Sequence, residues 1–265
     1  MSGFYIGVDG KARKVKGGYI GIDGKARKIK KGYIGVDGVA RLCWVAFDVD
    51  PVFAENTWEN IALACQSGAI PDTWSVGNQK TMTIGGTDYA VDVIGVNHDD
   101  YADGSGKAPL TLQLHDIHAT KKAMDTDGTN YDGWNGCDMR VTYLPEILAL
   151  MPTGVQANIK EVNKLTSGGG QSSEIKTTAE KLFLLSEVEV FNSTRNSFAG
   201  EGTQYEFYKN EGANIKSYKG SADLWWLRSP YKSGTGHYCC STAVADAITA
   251  DSASKTNGIS FAFCF

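Results

Sequence analysis

The chain has 265 residues, 42% of them apolar, enough for a sizeable core or for one domain with a small module beside it. A formal net charge of −4 argues against a general nucleic-acid or anionic-membrane surface. The apolar runs are too short to span a bilayer, and Met1-Ser2-Gly3-Phe4-Tyr5 lacks the pattern of a secretory signal, so the expected setting is a virus particle or the cytoplasm.

Residues 1–44 are a 14-residue repeat. Tyr5-Ile6-Gly7-Val8-Asp9-Gly10-Lys11-Ala12-Arg13 recurs from Tyr19 and again from Tyr33. Asp-Gly between short β-forming runs predicts three hairpins, because the turn needs positive φ. Such hairpins bury too little surface to stand alone and call for neighbours, other subunits or a docking partner. Their basic residues (Lys11, Arg13, Lys14, Lys16 and the copies) fit either an acidic partner or charged protection of exposed strand edges.

Residues 42–53 read as a linker and first strand into a main domain, 45–265. Asn56-Thr57-Trp58-Glu59 resembles a capping box, with Trp58, Ile61, Ala62 and Cys65 on one helical face and Gly68 as the stop. A hairpin follows over 81–94, turning at Gly85-Gly86. Leu110, Leu112 and Leu114 alternate as a strand. A short helix is expected over 139–144, and Pro145 opens another through Leu150. Val155, Ile159 and Val162 suggest an amphipathic segment, 167–173 a loop, and 181–185 a buried strand. Ser186 begins a possible helix. Short strands, few helices and long loops indicate α+β.

Few segments carry a chemical signature. His115 and His118 are three apart without a helix-borne His-Glu motif, and read as satisfied structural histidines rather than metal ligands. Asp125, Asp127, Asn130 and Asp132 place oxygens as a calcium loop does, but lack the EF-hand spacing and closing Glu; a polar surface loop is the competing reading. No Gly-x-Ser-x-Gly, phosphate loop or dinucleotide fingerprint is present. The six cysteines (Cys43, Cys65, Cys137, Cys239, Cys240 and Cys264) form no Cys-x-x-Cys pair and are expected as free apolar residues. Arg228 fits a buried guanidinium bonded to loop carbonyls, with a cation–π contact.

The composition breaks after Trp225-Trp226-Leu227-Arg228-Ser229-Pro230. From Ser233 to Ser254 there is no Trp, Lys, Glu, Gln, Met or Pro, and then an apolar close runs from Gly258 to Phe265. A soft polar insert between two anchors reads as a display surface.

On Ile94-Gly95-Val96-Asn97-His98-Asp99, Gly133-Trp134, Asp138-Met139-Arg140, 181–187, Gly202-Thr203-Gln204-Tyr205 and 225–230, the chain resembles an uncharacterised domain family of gut bacteria and their phages. That family is similar in pattern to C-type-lectin-fold proteins, including the variable proteins of diversity-generating retroelements. The repeats look like those preceding phage structural domains. The resemblance implies a C-type-lectin-like domain of the formylglycine-generating-enzyme type behind a β-hairpin attachment module. It implies receptor binding without catalysis or a cofactor, as a homotrimer, with no nucleic-acid or membrane partner. The implied location is the virion (phage tail), after synthesis in the host cytoplasm; a bacterial cell surface is the alternative. The implied partners are a bacterial surface protein or glycan and, through residues 1–44, other virion proteins.

The implied variable region is 231–257. Ser233, Thr235, His237, Tyr238, Cys240, Thr242, Asp246, Ile248, Thr249 and Asp251 form the ligand-binding set, and Trp225, Trp226 and Arg228 the framework. The residue types missing from the insert include those that adenine-directed mutagenesis of AAY codons does not produce. The chain departs from the family at Ala245, where glycine is expected, and at Cys240 and Ile248. A formylglycine-type oxidase on the same fold and a structural virion decoration remain as competing functions.

Overall fold

The computed structural model describes residues 5–8, 10–14, 18–29, 31–36, 38–45 and 49–265. The repeats form the hairpins their Asp-Gly turns predict. β1 (Tyr5–Val8) pairs with β2 (Lys11–Lys14), β3 (Tyr19–Ile22) with β4 (Lys25–Lys28), and β5 (Lys31–Val36) with β6 (Val39–Val45). The register repeats every 14 residues, Tyr5 opposite Lys14 and Tyr19 opposite Lys28. Gly10, Gly24 and Gly38 sit at φ of 71–74°, the left-handed region that the tight turn demands. Every residue of β3 is exposed, Tyr19 and Ile20 included, so this strand has no covered face among the described residues. The side chains of Lys11, Arg13, Lys14, Lys16 and Cys43 lie outside the described residues.

From Phe53 onward the chain shares one apolar core. A 3-10 turn (Phe53–Glu55) leads into α1 (Trp58–Ser67). The helix is capped by Thr57, whose side chain accepts from Asn60 N, and it ends at Gly68 with φ 65°. The expected capping box does not form: the N-cap is Thr57 rather than Asn56, because Asn56 is occupied with Asp50, Val52 and Phe53. Trp58, Ile61, Ala62 and Cys65 are buried as their spacing predicts.

β7 (Gln79–Ile84) and β8 (Thr87–Val96) form the expected hairpin, and β9 (Leu110–Leu114) pairs with β8. Short helical turns follow: α2 (Gly133–Gly136), a π-helical turn (Met139–Tyr143), α3 (Leu144–Leu150) and α4 (Thr153–Gln156). The amphipathic segment expected across Val155, Ile159 and Val162 is instead the end of α4 and the start of a hairpin. Its strands are β10 (Val162–Gly169) and β11 (Ser172–Glu180), and the expected loop contracts to a turn at Gly170-Gln171. Gly169 is obligatory, since a Cβ there would stand 2.0 Å from Asn130 O.

β12 (Leu182–Phe183) is shorter than the buried run around it, and α5 (Glu187–Phe191) starts at a complete Ser186/Glu189 capping box. A 3-10 turn (Glu206–Lys209) and the small hairpin of β13 (Lys216–Tyr218) and β14 (Ser221–Asp223) precede the tail. The tail forms a three-stranded antiparallel sheet of β15 (Trp225–Pro230), β16 (His237–Ser241) and β17 (Ile248–Ser252), in that order. The last strand, β18 (Ala262–Cys264), enters the other sheet between β12 and β9, giving the order β12-β18-β9-β8-β7. Residues 259–265 are buried without alternation, because β18 is an interior strand covered on both faces. Phe263 and Phe265 pack on Trp58, with ring centroids 6.5 and 6.2 Å away. The architecture is mixed α+β. No helix among the described residues is long and apolar enough to cross a membrane.

Candidate binding surface

The expected framework is fully buried. Trp225 Nε1 donates to Asn214 O (2.9 Å) and Trp226 Nε1 to Lys122 O (2.8 Å). Each indole thereby ties β15 to a distant loop and satisfies its one polar atom. Arg228 reaches the carbonyls of Leu184 (2.8 Å), Leu165 (3.0 Å) and Glu201 (3.3 Å), as expected of a guanidinium among loops. Its charge is met by a bidentate pair with Glu189, and its Nε donates to Thr166 Oγ1 (2.8 Å). The cation–π contacts are made by lysines instead, among them Lys164 over Phe183 (4.3 Å) and Lys216 over Trp225 (5.4 Å).

Arg228 belongs to a buried ionic chain. Glu189 also receives Lys164 Nζ (2.6 Å), which bonds Asp99 (2.7 Å) and Tyr205 OH (3.0 Å). Asp99 further accepts from Thr111 Oγ1 (2.5 Å). Burial opposes ionisation of Asp99, but Lys164 outweighs it and holds the carboxyl at about 2. Burial likewise opposes ionisation of Glu189, and Arg228 with Lys164 reverses the direction. Glu201, bonded by Ser229 Oγ and Ser167 N, lacks an ion-pair partner among the described residues, and burial raises its pKa. Such a network penalises any rearrangement that leaves one charge unpaired, so it fixes β10, α5 and β15 against each other.

Two asparagines hold the tail from outside it. Asn130 is fully buried. Its Nδ2 donates to His237 O (2.7 Å) and Gly234 O (3.0 Å), its Oδ1 accepts from Gly170 N (3.1 Å), and its backbone N donates to Thr235 O (2.6 Å). Asn214 donates to Ser241 Oγ and Val244 O (both 3.1 Å) and accepts from Asp246 N (2.8 Å). Met124 N and Asp125 N both donate to Ala253 O, and Trp226 N donates to Gly258 O. Most of these bonds go to backbone atoms of the tail, so they specify its path without specifying its side chains.

Of the ten residues expected to be displayed, eight reach the surface wholly or in part. Ser233, His237 and Asp246 are exposed; Thr235, Thr242, Ile248, Thr249 and Asp251 are half-buried. Tyr238 and Cys240 are not displayed, because β16 is the middle strand of its sheet and both of its faces are covered. Tyr238 is fully buried and its hydroxyl donates to Gly133 O (2.9 Å). Cys240 is also fully buried, next to Asn257 Nδ2. Asp251 is tied to Lys255 (2.7 Å) and Asn257 (3.0 Å). Burial opposes its ionisation, but these partners lower its pKa on balance.

A cleft of about 560 Å³ adjoins this face. Asp246 and Ile248 line it from the tail, Phe191 from the end of α5, Arg195 from the loop after it, and Tyr208 and Lys209 from the last 3-10 turn. Asn130, Asn214 and Arg195 were absent from the expected site. Asn130 carried a signal, but its acidic neighbours made it read as a cation ligand.

The oxygens of Asp125, Asp127, Asn130 and Asp132 do not converge. The Asn130 side chain is committed to the tail and Gly170, and Asp127 closes a local turn onto Thr129 N (2.7 Å). Burial, with the carboxylates of Asp127, Asp138 and Asp132 adding to it, pushes the Asp125 carboxyl up to about 6. No group of three or more His, Cys, Asp and Glu side chains suited to a metal occurs among the described residues. His115 Nδ1 is 2.7 Å from Asp92 Oδ2, a bond that raises the histidine's pKa. His118 is buried against Tyr89 and shifted down by that burial. Cys239 and Cys240 are both fully buried and, as successive strand residues, point to opposite faces; burial pushes both thiols well above their usual range.

Residues 110–265, from the first residue of β9 to the end of β18 and its flank, match the family described as a domain of unknown function (DUF6273). The chain belongs to this family. No curated protein and no solved structure matches it. The DUF6273 segment contains all three tail strands, Arg228 and both asparagine clamps. Its sheet is completed from outside, since β8 and β7 continue the order beyond β9.

Proposed function

We propose that the protein is a non-enzymatic binding protein whose C-terminal region, 231–257, presents a ligand-binding face on a C-type-lectin-like domain. Residues 1–44 attach it to a larger assembly and hold a homotrimer, most consistent with a phage tail-associated protein that contacts a bacterial surface protein or glycan. The observation that supports this reading is the way the tail is held. Asn130, Asn214, Met124 and Asp125 grip chiefly its backbone, so Ser233, Thr235, His237 and Thr249 can change without loss of the scaffold. A surface that varies its side chains on a constant frame needs that separation.

The oxidase alternative needs accessible, cooperating thiols, and the burial of Cys239 and Cys240 on opposite faces of one strand weighs against it.

The test is the quadruple variant Ser233→Ala, His237→Ala, Thr249→Ala, Asp251→Ala, assayed for melting temperature and for binding of labelled protein to a panel of intact gut bacteria. The changes at Ser233, His237 and Thr249 should cost about 0.5 kcal/mol or less apiece, and losing the Asp251 contacts to Lys255 and Asn257 about 1 kcal/mol each, so the variant should stay folded while cell binding is lost. Undiminished binding by the folded variant would overturn the assignment. Deleting residues 1–42 should abolish trimers in sedimentation analysis while leaving binding by each domain intact.

A further inference from the structure

The cleft beside the display face contains an arginine whose surroundings are fixed although its own guanidinium is unused. Arg195 is exposed, and its side chain has no partner among the described residues. The loop that carries it is pinned from beneath. Glu187, fully buried and without an ion-pair partner among the described residues, accepts Asn196 N on both oxygens (3.0 and 3.1 Å) and Ser193 Oγ (3.0 Å). From the tail, Lys232 Nζ donates to Thr194 O (2.5 Å) and Lys232 N to Asn196 O (2.9 Å). Burying a carboxylate without a counter-cation is costly unless hydrogen bonds compensate it. Here the N–H and O–H donors all come from the segment that presents Arg195, and Cys239 Sγ adds a long contact from the tail (3.8 Å).

The rest of the cleft is equally fixed. Gln204 Nε2 donates to Val190 O (3.0 Å) and Tyr208 O (3.1 Å), and Tyr208 OH to Gln113 (2.5 Å). Asp246 stands on the tail wall at φ 52°, held by its backbone N to Asn214, with its carboxylate free of hydrogen bonds among the described residues. Phe191 and Ile248, both half-buried, supply an apolar strip. The volume lies within the range of about 300–1,000 Å³ usual for small-ligand sites.

These groups select a ligand class. A guanidinium fork matches a carboxylate in two parallel bonds. A free aspartate needs donors, which hydroxyl groups supply. A compact inorganic anion would meet Arg195 but offer Asp246 no donor and Phe191 and Ile248 no apolar face, and a neutral sugar would leave Arg195 unpaired. A ligand with a carboxylate, several hydroxyls and an apolar C–H face satisfies all three features. We propose that this cleft binds an acidic sugar, its carboxylate on Arg195, its hydroxyls on Asp246 and its ring face against Phe191 and Ile248. The inference deepens the proposed binding function and rests on it for its biological setting.

The experiment is titration calorimetry of the full chain with digalacturonate, its methyl ester and sialyllactose, on wild type, Arg195→Ala, Arg195→Lys, Asp246→Ala and the quadruple display variant. At least one acidic sugar should bind wild type. Esterification and Arg195→Ala should each weaken binding about 10–100-fold, the range for a charge-assisted hydrogen-bond pair. Arg195→Lys should recover only part of it, and Asp246→Ala should weaken it as well. Binding of acid and ester alike, indifference to Arg195→Ala, or failure of both acidic sugars to bind the folded protein would each overturn the proposal. Loss of cell binding in the display variant with no acidic-sugar binding would sink this inference and leave the display reading intact. Acidic-sugar binding through Arg195 by a protein whose cell binding ignores the display residues would do the reverse.

Discussion

Replacing Asn130 with alanine probes the link between the body and the tail. The substitution removes side-chain bonds of 2.7, 3.0 and 3.1 Å to His237 O, Gly234 O and Gly170 N. At a net of about 1 kcal/mol each, with a further penalty of about 1–3 kcal/mol where a buried group loses its partner, the loss should be about 4–6 kcal/mol. His237 O retains Tyr231 N and Gly170 N retains Asn130 O, both at 3.0 Å, which keeps the figure toward the lower end. Urea unfolding followed by tryptophan fluorescence measures the total, and hydrogen exchange across 231–237 and at Gly170 measures where it is lost. Asn130→Asp sharpens the test. It keeps the shape but turns a donor into an oxygen facing two carbonyl oxygens, so at neutral pH it should destabilise at least as much as alanine. Acidification should relieve part of that, because the protonated carboxyl regains a donor. A loss below about 1 kcal/mol with unchanged exchange would refute the clamp, and stabilisation of Asn130→Asp by millimolar calcium would restore the cation-loop reading of Asp125, Asp127 and Asp132.

Three further outcomes follow from the buried charges and thiols. Asp99 and Glu189 have folded-state pKa values below their unfolded ones, so their stabilisation is complete above about pH 4.5 and is lost as pH falls toward 2; Asp99 alone should contribute about 2–3 kcal/mol, measurable by urea titrations at stepped pH, and a flat profile across that window would contradict the ion pairing. Arg228→Lys loses the bidentate pair with Glu189 and the reach to three carbonyls, and should cost about 3–5 kcal/mol, whereas a change near zero would show that the network carries no stability. Cys65, Cys137, Cys239, Cys240 and Cys264 should stay unmodified by maleimide in the native protein at neutral pH and react in denaturant; rapid native labelling of Cys239 or Cys240, located by peptide mass spectrometry, would show that the tail sheet opens.

Local chemistry was the legible part of the sequence. The Asp-Gly turns, the Gly68 stop, the buried face of α1 and the Ser186/Glu189 box are each decided within a few residues, and each formed as its pattern predicts, α1 with its cap displaced by one residue. Long-range partners were not legible. Lys164 lies in a polar stretch with nothing beside it in sequence to mark burial, yet Asp99 and Glu189 enclose it from distant segments. The β10–β11 hairpin was hidden for the same reason, since its Thr, Ser and Lys residues carry no apolar alternation. Tyr238 and Cys240 looked displayable because a strand covered on both faces carries no mark of which neighbour covers it. Arg228 was readable as buried, but nothing within its own segment pointed to Glu189.

The placement of β18 has a consequence for how variants of this chain survive. The strand that joins β12 to β9 in the larger sheet is translated after the whole tail segment, and β9 and β12 have no direct partner in each other until it arrives. A frameshift or stop codon anywhere in 231–257 therefore does more than blunt the proposed binding face: it leaves two apolar strands with open edges and a gap where Phe261, Phe263 and Phe265 belong. Such a product should aggregate or be degraded. Completion of the fold thus acts as a proofreading step on the segment that precedes it, and a population of altered tails would be filtered for full-length chains before any of them met a partner.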